Sequence, residues 1–210
     1  MIAPFLVALA LTVAPGQTAT VRVPVANVWA VPGTGTLPLD PHVWPTAAVS
    51  YSTRLGLVGH LPTQVLYGET VSVLGRRGGW THVAVPDQPS PLDVRGYPGW
   101  VRSWQLGPAT ANPLVVTART ATLPNGTEIG FGSDVPAGLL AASATRSLPR
   151  TRADLVKAAE QFLGLRYLWG GLAAYPGNAS RRSVSLALKS LLPRPVVRRL
   201  RARRRGPDRG

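Results

Sequence analysis

Residues 68–86 read GETVSVLGRRGGWTHVAVP, and this stretch sets the fold class. Val71 and Val73 recur at every second position, the period of a strand with one face buried. Gly75 to Gly79 then turn the chain, and Trp80, His82 and Val83 to Val85 lead back as a second strand. Upstream, VRVPVANVWAVPG (21–33) repeats the alternation at Val21, Val23 and Val25 and ends at a Pro32-Gly33 turn. Downstream, YPGWVRSWQL (97–106) supplies another turn and a short strand with Trp100 and Val101. Residues 34–62, rich in Pro, Gly and Thr, read as a long irregular loop. Residues 20–106 are thus expected to form one β domain.

Residues 107–147 hold a weaker copy of the same pattern. PLVVTARTATLPNGTEIGFGSDVPAG (113–138) offers a strand, an Asn125-Gly126 turn and a second strand. A small barrel takes about five strands, so this second module reads as incomplete. The period then changes. TRADLVKAAEQFLGL (151–165) opens on Thr151 as N-cap, with Asp154 three residues on in the manner of a capping box. Leu155, Ala158, Ala159 and Phe162 share one face of the predicted helix, and Gly164 suits its end.

The charge is uneven. The 210 residues carry a net +14, but Gly177 to Gly210 hold 11 basic residues against one acid, Asp208. An amphipathic helix fits 183–192, and the Arg-rich remainder will not enter a core. Eight arginines within 194–209 can hold phosphates electrostatically, yet the tail has no aromatic residue on which a base could stack. On charge alone the tail would favour anionic polymers over a specific nucleic acid; the competing reading, a tail with no selected partner, carries more weight. Pro and Gly make up about a fifth of the chain, which favours short elements and many turns. There is no cysteine, which excludes disulfides, thiolate metal sites and a Cys nucleophile in this sequence. At the start, the apolar run Phe5 to Val13 has signal-peptide length, followed by a small-x-small cleavage site at Thr12-Val13-Ala14. The alternative for 1–19 is a first buried strand. No segment is long and apolar enough to span a bilayer.

VPVANVW (23–29), TQVLYGETVSVLGRRGGWTHVAVPDQPSPLDVRGYPGWV (63–101) and RADLVKAAEQFLGLRYLWGG (152–171) occur in that order. Together they resemble the NlpC-type cell-wall cysteine peptidases with N-terminal bacterial SH3-like domains, over roughly residues 20–176. The resemblance implies a mainly β chain. SH3-like small barrel modules (20–106 and an incomplete 107–147) would precede the first helix of an incomplete papain-like α/β domain (150–176) and a disordered basic tail (177–210). It also implies secretion or wall association, peptidoglycan as partner, and thiol-dependent cleavage of D-glutamyl–diamino acid stem-peptide bonds.

In that family Trp-Gly-Gly runs on to Phe-Asp-Cys-Ser-Gly, with the Cys opening a helix whose dipole favours the thiolate. With Tyr167 matched to the motif's Tyr, the Cys falls twelve residues later, on Ala179. Asn178 stands for the Asp, Ser180 matches the Ser, and Arg181 replaces the Gly. The base is missing too, because His42, His60 and His82 all lie upstream. A substitute role for Ser180 fails for want of a positioned histidine. The sequence therefore predicts a chain without peptidase activity, whether a frameshifted or truncated gene or a real chain that lost catalysis and gained a basic tail. The alternative function is a noncatalytic binder of peptidoglycan or polyanions. Tyr167, Trp169, Trp80 and Trp100 are the expected substrate-binding residues; for each, plain core packing is the competing role. Tyr97 and Trp104 could extend an aromatic groove. His82 is expected to point outward on its strand. No metal site and no cofactor are expected. A core helix without a sheet to lie on predicts poor order over 150–210.

Overall fold

Residues 13–33, 50–145, 151–163 and Gly171 are described by the computed structural model, and they are mainly β. The alternating stretch at 21–33 forms two strands instead of one. β1 (Thr18–Val21) and β2 (Val25–Val28) part at Pro24, which has no N–H to continue a ladder but whose carbonyl accepts from Tyr67 N–H at 3.1 Å. After α1 (Tyr51–Gly56) come β3 (Thr63–Leu66), β4 (Thr70–Arg77), β5 (Trp80–Val85), β6 (Tyr97–Arg102) and, past a 3-10 turn, β7 (Leu106–Pro108). Five of these make an antiparallel sheet in the order β6-β5-β4-β1-β7. β2 pairs with β3, and Trp29 just beyond β2 exchanges 2.8 Å backbone hydrogen bonds with Trp100 of β6. The sheet thereby curls around a core of valine and alanine alone, drawn from β1 to β6 and the residues beside them, with Tyr97 and Leu106 at its margin. β-branched side chains suit this pleated, buried surface.

Three expectations change. The hairpin turn is only Gly78-Gly79, because β4 runs on to Arg77, opposite Trp80; a bulge between Val73 and Gly75 absorbs the irregularity. The second half of the expected loop is α1, where Ser50 Oγ accepts from Thr53 N–H at 3.1 Å and Leu57 and Leu61 beyond the helix are fully buried. Residues 34–49 lie outside the described residues. At the other end, β7 carries the first unit past Leu106, so Gly107 and Pro108 pair with β1 and do not open a second module.

Within 1–19, residues 1–12 lie outside the described residues. Val13 is in the valine core, Gly16 N–H donates to Val73 O, and β1 starts at Thr18, so the β unit begins inside that segment.

The second unit is two small ladders. β8 (Leu114–Val115) pairs with β11 (Asp134–Val135), and β9 (Thr120–Thr122) pairs with β10 (Glu128–Gly130). Asn125 and Gly126, the latter at φ +83°, turn the β9–β10 hairpin. Val116, Leu123, Ile129 and Val135 form its core, and Tyr67 of the first unit packs against it. Asp134 N–H donates to Tyr67 O at 2.8 Å and Asn112 Nδ2 to Gly68 O at 2.9 Å. Gly68 holds φ +76°, and a Cβ there would lie 1.7 Å from Asp134 O, so only glycine permits this junction.

α2 (Arg152–Glu160) has the expected capping box: Asp154 N–H donates to Thr151 Oγ1 at 3.2 Å, and Thr151 N–H donates to Asp154 Oδ2 at 3.1 Å. It is not without support. Phe162 is buried edge-on against the fully buried Phe131, ring centroids 5.1 Å apart. The expectation of a helix with nothing to lie on is thus corrected for 151–163; residues 146–150, 164–170 and 172–210, including Ala179 and the basic tail, lie outside the described residues.

Candidate functional site

Strand register decides which side chains meet. On β4, β5 and β6, Arg77 stands opposite Trp80, and Trp80 opposite Arg102. One rung along, Gly75 faces His82, His82 faces Trp100, and Trp100 bridges to Trp29. These residues share the outer face, since Val83, Val85 and Val101 at alternate positions enter the valine core. Leu57 and Leu61, beyond α1, lie on this face and bury Trp29 and Trp80 in a second apolar cluster, with Trp100 half-buried at its edge.

Two stacked pairs follow. The Arg102 guanidinium lies 4.0 Å from the Trp80 ring centroid. The His82 and Trp100 rings stack at 4.7 Å and 17°. His82 is therefore half-buried and not simply outward, and burial, the largest influence, pushes its pKa down. Asp93 acts the other way on it, and Arg95 adds to the lowering. Those two are themselves paired: Arg95 donates from Nη2 to Asp93 Oδ2 at 2.8 Å and from its backbone N–H to Oδ1 at 2.8 Å. The guanidinium and backbone donors hold the Asp93 carboxyl down at about 2.

The expected aromatic groove is divided. Trp80 is 7% exposed beneath Leu57, Leu61 and Arg102, and Trp100 shares its face with His82. Tyr97, three residues before Trp100, lies against the valine core, whereas Trp104 stands exposed on the 3-10 turn. Tyr167, Trp169 and Ala179 lie outside the described residues. Trp29, Leu57, Leu61 and Arg102 were not singled out from sequence. The Arg102–Trp80 pair follows from strand register, but the Leu57 and Leu61 contacts are long-range and leave no local signal. Among the described residues no three His, Asp or Glu side chains gather as metal ligands, and no helix is long and apolar enough to cross a membrane. Chemically, this face offers a cation–aromatic pair, Arg102 on Trp80, beside the stacked His82 and Trp100 rings.

No family model matches the chain. It is 32% identical to a gamma-D-glutamyl-L-lysine dipeptidyl-peptidase of Bacillus subtilis strain 168, over 77% of this chain and 67% of that protein. A Bacillus cereus protein of the same name is 28% identical, over 77% of this chain and 63% of its own length. The chain thus spans about two thirds of the length of these relatives. Among solved structures, an NlpC/P60 family protein from Bacillus cereus ATCC 10987 superposes with a TM-score of 0.66 at 25% identity, covering 83% of this chain and 72% of that one. A mainly β chain leading into a capped helix, matched over three quarters of its length by such relatives, belongs to the NlpC/P60 peptidase family.

Proposed function

We propose that this chain is a wall-directed, noncatalytic member of its family, whose β units are SH3-like modules that recognise peptidoglycan stem peptides. The observation that carries the reading is a pairing. The relatives are named for a γ-D-glutamyl-L-lysine substrate, while the 210 residues here contain no cysteine and no histidine after His82. The family reaction, as the resemblance implies it, needs a thiolate and a base. In this reading α2 is the opening helix of a papain-like domain, held on the second β unit by Phe131, and the protein acts outside the cell or at the wall.

The test uses the full purified chain on phosphate-free peptidoglycan and on a soluble γ-D-glutamyl-L-lysine peptide. The chain should co-sediment with the peptidoglycan at low and high salt and release no lysine from the peptide. Lysine release would overturn the noncatalytic reading. Sedimentation that salt abolishes would favour the second reading, in which the basic residues of 181–209 act as a polycation on anionic wall polymers.

A further inference from the structure

The sequence holds four asparagines, Asn27, Asn112, Asn125 and Asn178. The side-chain amide carbon of each is an electrophile within reach of the next residue's backbone nitrogen, with which it can close a succinimide ring. The next residue decides whether it does. Asn112 precedes Pro113, which has no N–H to lose. Asn27 is buried, accepts from Gln64 Nε2 at 2.8 Å and precedes the β-branched Val28. Asn178 precedes Ala179, and both lie outside the described residues. Asn125 is exposed and precedes Gly126, which has no Cβ to screen its nitrogen and open space where a Cβ would stand. Thr127 N–H donates to Asn125 Oδ1 at 3.0 Å, which folds the amide back toward the Gly126 nitrogen and polarises its carbonyl. One contact opposes the attack. The same nitrogen donates to Leu123 O at 2.9 Å, and Leu123 N–H donates to Thr127 O at 2.8 Å to close the turn. The ladder behind this turn has three residues a side, so the tip opens locally at small cost.

We infer that Asn125 is a site of spontaneous conversion to aspartate and isoaspartate, gated by opening of the β9–β10 turn. In the open turn the Gly126 nitrogen loses its proton to solvent and bonds to Asn125 Cγ. The Cγ–Nδ2 bond breaks, and the nitrogen leaves as ammonia with a proton from solvent. Water then adds to one of the two ring carbonyls. Cleavage at Cγ restores the ordinary backbone as aspartate; cleavage at the backbone carbonyl leaves isoaspartate, whose main chain runs on through Cβ and Cγ. One water enters, one ammonia departs, and nothing is oxidised or reduced. The extra main-chain carbon of isoaspartate no longer lets Gly126 N–H and Thr127 O both meet Leu123. The hairpin that buries Ile129 then loosens, while the first unit keeps its own core.

The test incubates the purified full chain in mildly alkaline buffer, maps its peptides by mass and measures released ammonia, with isoaspartate read by an isoaspartyl methyltransferase. The peptide holding Asn125 should gain about 1 Da, the difference between an amide NH2 and a hydroxyl, and should accept methyl groups. The rate should rise in urea, where the turn is open. The isoaspartate form should show faster hydrogen exchange at Leu123 and Ile129, with β1 to β7 unchanged. Asn125→Gln, a change at an exposed position that lengthens the side chain past easy ring closure, should abolish the gain. An unmodified Asn125, or Asn27, Asn112 or Asn178 reacting as fast, overturns the inference. Equal rates in urea and in the folded chain overturn it too, because the turn would then be no gate.

Discussion

The two β units solve the burial problem with different means. The first gathers β1 to β7 around a core of valines and alanines, backed by the Trp29, Leu57, Leu61 and Trp80 cluster and closed by the Trp29–Trp100 exchange. The second has four strands of two or three residues, in ladders too short to be stable alone. It takes Tyr67 from the first unit on one side and Phe162 from beyond α2 on the other. A unit with its own core is a scaffold. One that borrows its packing is a connector, and its stability is shared with whatever it joins.

The sharpest way to break this contrast is Phe131→Ala. Loss of a fully buried ring costs about 3–5 kcal/mol. Hydrogen exchange should show the loss in 113–145 and 151–163 while β1 to β7 keep their protection; equal loss in the first unit would erase the distinction. Gly68→Ala attacks the other border. It combines a left-handed backbone with a Cβ 1.7 Å from Asp134 O, so about 2–4 kcal/mol should be lost in urea unfolding, with the second unit separating first. Thr151→Ala removes the N-cap of α2 and should cost about 1 kcal/mol. That loss should be confined to exchange in 152–160, with the β9–β10 amides unchanged.

The smallest effect is a pH dependence in the first unit. Arg95 depresses the Asp93 pKa to about 2, so the stabilisation is full above the ordinary carboxylate value and is lost as pH falls through about 2. The Arg95 amide, which donates to Asp93, should report that midpoint, and Arg95→Gln should move it up toward the ordinary carboxylate range. His82 has the same sign. Burial disfavours its protonated form, so its contribution is present above its ordinary value near 6.5 and falls as the ring takes up a proton.

Much of the scaffold was legible because its signals are local. Val71 and Val73 mark a strand by period alone, and Thr151 with Asp154 marks a helix start by spacing. α1 escaped because six residues are too few to show a 3.6-residue period, and its flanking leucines are ordered by a tryptophan far away in sequence. The membership of Gly107 and Pro108 in the first unit escaped for a similar reason, since their partners on β1 lie almost ninety residues earlier. The aromatic set was found by composition, but its division was not. Tyr97 and Trp100 differ in parity along one strand, which sends them to opposite faces.

β1 lies between β4 and β7, so the first described strand is among the last of its unit to be fully paired. Ala19 has its second neighbour only when Pro108 arrives. At synthesis rates of ~5–20 residues per second, the β7-facing edge of that strand stays open for roughly 4–18 s. Its wait ends on a three-residue strand, so the seconds before residue 108 emerges are the interval in which a holding factor or a wrong strand can compete for it.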